Sequence, residues 1–393
     1  MAMNRWSLSR AWSRAWSRAR VALPLALVGC SSVAAPDGDT LIMLGLQGPM
    51  TGEYAAEGLG YRNAVTMLVD QTNAAGGING RKIRLVIEDD KGDAQESALV
   101  ADRLVAKKVV AVIGAWNSGA TEPASATYNR AGILHVTPAS TATRLTTKGY
   151  QQFFRVCFLD ERQGLFAATF ITQQLGLRKV ALVHDNSGFA LGLAESTKRY
   201  LEAQGANIAF YDAINPAESD FGATLTKLKA TNPEVVYFTG YFPQGALLLK
   251  QAAAMGLKMQ WIGGNGMSTT ELITAAGVGV AKGVIVTTEP LPGDLDSPEA
   301  KQFVADYTAK YGAAPNSVWT MMAADAFRVV RYAMTQTTST DPKVLAEWLH
   351  KSLKDYPAIT GPIIGFDDKG DRLGTIHRAY VVDDRGQFVL YKK

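Results

Sequence analysis

Residues 109–145 read VVAVIGAWNSGATEPASATYNRAGILHVTPASTATRL. Val109 to Gly114 is a short, unbroken apolar run, as a parallel strand buried on both faces requires. A polar turn, Trp116 to Ala120, follows it. Thr121-Glu122-Pro123 predicts a helix start, with a capping hydroxyl, an acid in the first turn and a proline where no amide is needed. Gly132 ends that helix, and Ile133 to Thr137 is the next strand. Pro138-Ala139-Ser140-Thr141 forms a second polar loop. The unit is β-α-β, so its two strand-end loops are expected side by side at the carboxyl edge of a parallel sheet, where open α/β folds bind ligands. Ser118 and Thr121 in one loop, and Ser140 and Thr141 in the other, offer hydroxyls beside free amides at helix N-termini. That set suits a small anion such as a carboxylate. Helix capping alone is the competing reading.

The same alternation runs outward in both directions. Upstream, Leu41–Leu46 and Lys82–Asp89 read as strands. Helices over 54–75 and 94–108 follow them, and Gly76-Gly77 and Asn79-Gly80 mark a stop and a tight turn. Downstream of residue 160, apolar runs at 180–184, 208–211, 235–240, 261–263 and 284–287 alternate with helical segments. Two runs of this kind predict an α/β chain with two doubly wound, Rossmann-like units. The Pro/Gly-rich break at 289–294 allows the chain to cross back. Helices near 297–311, 317–337 and 343–353 would then join the first unit, and short strands at 375–383 and 387–391 the second.

The first 30 residues differ in kind. Arg5, Arg10, Arg14, Arg18 and Arg20 make a basic stretch without acids, and a short apolar run ends in Leu27-Val28-Gly29-Cys30. This resembles a bacterial lipoprotein signal over 1–29, with lipid attached at Cys30 and a polar tether over 30–39. A plain secretory leader with an incidental cysteine is the competing reading. Without the five leader arginines, Lys+Arg falls from 40 to 35 against 36 Asp+Glu, and the net charge moves from +4 to −1. The apparent basicity therefore gives no reason to expect nucleic acid. Cys157 is then the one remaining cysteine, so no internal disulfide is expected. The chain carries no phosphate-binding loop, no H-E-x-x-H and no G-x-S-x-G. Its four histidines lack metal-ligand spacing. His184-Asp185 is the one pair that could act as a base and its orienting acid. Neither a cofactor nor enzymatic turnover is expected.

The central stretch, together with GPMTGEYAAEG (48–58), NAAGGINGRKIRLVIEDD (73–90), ALVHDNSGFALGL (181–193), FTGYFPQGALLLKQAAAMGLK (238–258) and GPIIGFDDKGD (361–371), is similar to the branched-chain amino-acid-binding proteins. These are type I periplasmic solute receptors that feed ABC importers. The resemblance covers nearly everything after residue 40. It implies two lobes joined by a three-strand hinge, a Venus-flytrap, with 40–158 plus 290–372 in one lobe and 159–289 plus 373–393 in the other. It also implies a monomer that meets ABC permease subunits while a lipid anchor holds it at the membrane outside the cytoplasm. By the resemblance, Ser118 meets the ligand carboxylate, Ala139 and Thr141 the amino-acid head, and Phe189 and Tyr241 close over it, with Trp116 at the mouth; Ser140 joins the candidate site through its loop hydroxyl. Two positions depart from the family. Asn265 stands where relatives carry a glutamate for the ligand ammonium, and Glu57 where they usually carry a tyrosine. The disulfide that members often form is absent, its positions being Gly92 and Asn117. An aliphatic amino acid is the first expectation for the ligand. A non-amino organic or aromatic acid or an amide, or a sensory role on the same fold, is the alternative.

Overall fold

The computed structural model describes residues 41–392. The leader, Cys30 and the tether lie outside the described residues. Five parallel strands open the chain: β1 (Ile42–Gly48), β2 (Ile83–Asp89), β3 (Ala111–Ile113), β4 (Leu134–Thr137) and β5 (Phe153–Arg155). Between the first four run α1 (Ala55–Ala74), α2 (Ala94–Ala106) and α3 (Ser118–Ala131), and a 3-10 turn (Thr143–Lys148) precedes β5. The strands lie in the order β2-β1-β3-β4-β5. The inner strands are the most apolar: Ala111, Val112, Ile113, Leu134 and Val136 are all buried, whereas the edge strand β2 mixes buried, partly exposed and exposed side chains. This is what a parallel sheet covered by helices on both faces demands.

A second sheet of seven strands follows, in the order β12-β11-β10-β9-β8-β6-β7. It comprises β6 (Lys179–His184), β7 (Asn207–Ala213), β8 (Val235–Phe238), β9 (Gln260–Gly263), β10 (Ile285–Thr288), β11 (Arg378–Val382) and β12 (Phe388–Leu390). The last two pair antiparallel. Its helices are α4 (Asp160–Thr169), α5 (Gly188–Ala203), α6 (Gly222–Thr231), α7 (Phe242–Ala254), α8 (Thr270–Ala276) and α9 (Val278–Ala281). Then α10 (Pro298–Tyr311), α11 (Val318–Thr337) and α12 (Pro342–Lys351) return to the first sheet, where α11 packs on α1, β3 and β4 and α12 on β4.

The strand orders decide where a ligand could lie. In the first sheet the order reverses between β1 and β3, and in the second between β6 and β8. A crevice opens where neighbouring loops leave in opposite directions. The loops concerned are 49–54 and 114–117 on one side, and 185–188 and 239–241 on the other. Gly114 is held at one of these edges by necessity. Its φ is +134°, and a Cβ there would meet the Gln47 carbonyl oxygen at 2.2 Å.

Two local expectations need correction. Helix α3 begins at Ser118, not at Thr121. Asn117 caps it by accepting from Ala120 N at 2.7 Å, and Pro123 falls inside the helix. Asn117 caps the helix four residues ahead of Thr121. The loop after Thr141 leads into a 3-10 turn, not an α-helix. At Asn79-Gly80 both residues have positive φ, and Ile78 and Arg81 exchange two backbone hydrogen bonds, as the turn chemistry predicts.

Candidate functional site

The two polar loops are laced together. Thr121 Oγ1 and Ser140 Oγ share a hydrogen bond of 2.6 Å, and Ser140 Oγ also donates to Trp116 O at 3.2 Å. Ser118 Oγ accepts from Ala142 N at 3.2 Å, so Ser118 sits one residue from Thr141. Arg155, fully buried, holds the second loop from below. Its Nη1 donates to Ser140 O and Ala142 O, its Nη2 to Thr146 Oγ1, and its Nε lies 2.6 Å from Asp371 Oδ1. The loop geometry therefore rests on a buried ion pair that reaches across 216 residues of chain.

Against these loops stands a cluster of rings from both sheets. Trp116 lies 4.9 Å from Tyr54 and 5.1 Å from Tyr241, ring centre to ring centre. Tyr241 lies 5.3 Å from Tyr54 and 5.1 Å from Phe189. Its backbone N–H is fixed by Asp185 Oδ2 at 3.0 Å. Trp116, Ala139, Thr141, Phe189, Tyr241, Asn265, Gly266 and Trp319 line a cavity of about 20 Å³ between them. That is room for about one water.

Six of the nine residues expected at a ligand site therefore face one cavity. Ser118, Ser140 and Glu57 do not line it. Ser140 uses its hydroxyl within the protein, between Thr121 and Trp116, and so braces the loop. Among the described residues, Ser118 Oγ receives one hydrogen bond and donates none. Glu57 is buried and accepts from Ser317 Oγ at 2.6 Å, the residue that caps α11. Trp319 and Tyr54 were not found from the sequence. Trp319 lies on α11, whose apolar face gave no sign that one ring would reach the cavity; Tyr54 stands in one of the matching motifs and could have been singled out there.

Three buried carboxyls surround the site. Burial pushes Glu57 up to about 7, against the Ser317 hydrogen bond. Burial pushes Asp160 up to about 7, opposed by the neighbouring Thr141 hydroxyl and the Arg155 charge. Burial pushes Glu289 up to about 6. These folded groups hold protons at a pH where the free carboxyls of the unfolded chain, near pH 4, are bare. The folded chain therefore binds more protons there, and its stability rises as pH falls. Burial also depresses His135 to about 4 and His377 to about 3, which acts in the opposite sense below about pH 6.5. The melting temperature is thus expected to rise between pH 8 and pH 6.5. A flat or falling melting temperature over that window would contradict the assignment.

Other expectations resolve plainly. Asn117 Nδ2 donates to Gly92 O at 2.8 Å, so the two positions without cysteines are joined by a hydrogen bond. Cys157 follows β5, is fully buried, and its thiol is pushed well up by that burial. His184 Nδ1 accepts from Asn186 N, while Asp185 accepts from Ser187 N and Tyr241 N. That pair serves the backbone of the crevice loops and makes no His-Asp hydrogen bond. Among the described residues, no helix is long and apolar enough to cross a membrane.

Comparison with known proteins gives a consistent result. Residues 42–385 match a family model described as periplasmic binding protein. An amino acid binding protein of Pseudomonas aeruginosa is 34% identical over 368 residues, 92% of this chain and 95% of the relative. The Leu/Ile/Val-binding protein of Escherichia coli is 35% identical over 335 residues, 85% of this chain and 88% of its own. Among solved structures, the branched-chain amino acid transporter substrate binding protein LivJ of Streptococcus pneumoniae, in complex with isoleucine, superposes with a TM-score of 0.80. It is 30% identical, covering 89% of this chain and 98% of that one.

Proposed function

The chain belongs to the periplasmic binding protein family, and from that premise we propose that it is a lipid-anchored solute receptor of an ABC importer. It takes a small amino acid, branched-chain or related, and hands it to permease subunits in the membrane. The carrying observation is the shared cavity: residues from loops of both sheets, at both reversals of strand order, meet around one space. We assign 40–158 plus 290–372 to one lobe and 159–289 plus 373–393 to the other. The connections after β5, after β10 and before β11 act as the hinge.

Closure is the physical core of the proposal. With room for about one water, a leucine-sized side chain enters only when Tyr54 and Trp116 part from Phe189 and Tyr241. Ligand then favours the closed form because it touches both groups of rings, and only such differential contact shifts the balance. Arg144 supports the closed form: its Nε donates to Glu122 at 2.9 Å and its Nη1 to Gly188 O at 2.5 Å, next to Phe189.

Ser118 Oγ, beside the cavity loops, donates no hydrogen bond among the described residues, and we assign it to the ligand carboxylate. Ser118→Ala removes a charge-assisted hydrogen bond of about 1.5–3 kcal/mol, so amino-acid affinity is expected to fall roughly 10- to 100-fold. Titration calorimetry that returned the wild-type affinity would remove Ser118 from the site. Radioactive palmitate that still labelled Cys30→Ala would refute the anchor.

A further inference from the structure

We infer that Glu289, which does not line the cavity, sets the charge preference of the site through Asn265. The inference rests on the proposed reading that this cavity is the ligand site. Asn265 lines it from a 3-10 turn after β9. Its Nδ2 donates to Glu289 Oε2 at 3.4 Å. Its Oδ1 accepts no hydrogen bond among the described residues. Turning the amide over would set its carbonyl oxygen against the carboxylate. Glu289 thereby fixes the carbonyl end as the one left for a donor.

The carboxylate behind that amide is poorly compensated. Glu289 is fully buried; its Oε2 accepts from Asn265 and from Thr288 Oγ1 at 3.3 Å, both neutral donors, and its Oε1 accepts no hydrogen bond. The nearest ring nitrogen, His377 Nε2, stands 3.8 Å away on an imidazole that burial keeps neutral. Arg372 acts on Glu289 from a distance, and its guanidinium donates to Val156 O, Thr360 Oγ1 and Gly361 O. Asp160 adds a second buried carboxyl nearby, with the Thr141 hydroxyl and the Arg155 charge as its nearest compensation. A buried negative charge without a close cation is unfavourable. A ligand ammonium set against Asn265 Oδ1 is both the donor that oxygen lacks and the cation Glu289 lacks. A bare carboxylic acid of the same skeleton supplies neither. Glu289 is in this sense a positioning residue: it orients Asn265 and biases the potential without touching the ligand.

The test uses two probes, L-leucine and 4-methylpentanoate, which share a carbon skeleton and a carboxylate and differ in the amine. Each is titrated calorimetrically into the full chain. The wild type is expected to favour leucine. Glu289→Gln is expected to weaken leucine roughly 10- to 100-fold, the scale of one partly screened charge, and to leave 4-methylpentanoate within about twofold. Because the ratio is taken within one variant, a general loss of folded protein cancels. Asn265→Ala should lower the same ratio. An equal fall for both probes, as weakened closure would give, or an unchanged leucine affinity overturns the role of Glu289 and leaves the receptor reading standing. Binding of neither probe by the wild type overturns both.

Discussion

Arg155→Met is expected to lower unfolding stability by about 3–5 kcal/mol, the cost of leaving one half of a buried ion pair alone. The guanidinium is inaccessible, and every polar contact it makes is internal. Its Nε faces Asp371, and its Nη atoms hold two carbonyls of the 140–142 segment and the Thr146 hydroxyl. Thr146 in turn donates to Asp371 Oδ2 at 2.9 Å. Removing the cation strands the Asp371 charge and frees the loop that carries Thr141. Urea denaturation reads the first effect as a lower midpoint. A midpoint shift worth less than about 1 kcal/mol would show that the pair contributes no more than a surface bridge. The double variant Arg155→Met, Asp371→Leu separates charge from packing. Removing both partners is expected to recover much of the loss, because no unpaired charge remains.

Tyr241→Ala is expected to weaken ligand binding by about 2–4 kcal/mol, or roughly 30- to 1000-fold. Tyr241 is the ring that touches the cluster on every side: Tyr54 and Trp116 from the first-sheet loops, and Phe189 from its own sheet. It leads into α7, with its N–H held by Asp185, so its position is fixed before any ligand arrives. An anchor of this kind excludes water over a large area and couples the two halves of the cavity. Calorimetry with L-leucine checks the affinity. Trp116 and Trp319 report locally, since both line the cavity and their emission should shift when Tyr241 is removed. An affinity within about threefold of wild type would mean that the rings pack for stability alone.

The contrast between Asn265 and Glu57 shows what a substitution pattern can and cannot say. Both depart from the pattern of the family that the sequence resembles. Glu57, the acid nearer in kind to what relatives carry, is turned toward Ser317 and does not line that cavity. The acid beside Asn265 is Glu289, 24 residues on and in a different connection. Neighbourhood in the sequence gave no hint of it.

Secondary structure was legible because it is local. Short apolar runs bounded by Gly, Pro and Asn announced parallel strands, since a strand covered on both faces tolerates little else. The alternation with helices then required two doubly wound sheets, and the strand-end loops followed from that. Trp116, Ala139, Thr141, Phe189, Tyr241 and Asn265 could be singled out because they sit on such loops and in matching motifs. The tertiary structure decided what depends on distance in space. It chose which hydroxyls brace the loops and which remain free, brought Tyr54 to the rings and Trp319 to the cavity, and set Arg155, paired with Asp371, under the loop that carries Thr141. It also placed Glu289 behind Asn265. Periodicity is imposed by residues three or four apart. The charge and shape of a cavity are imposed by segments hundreds of residues apart, and these meet only when both sheets have formed.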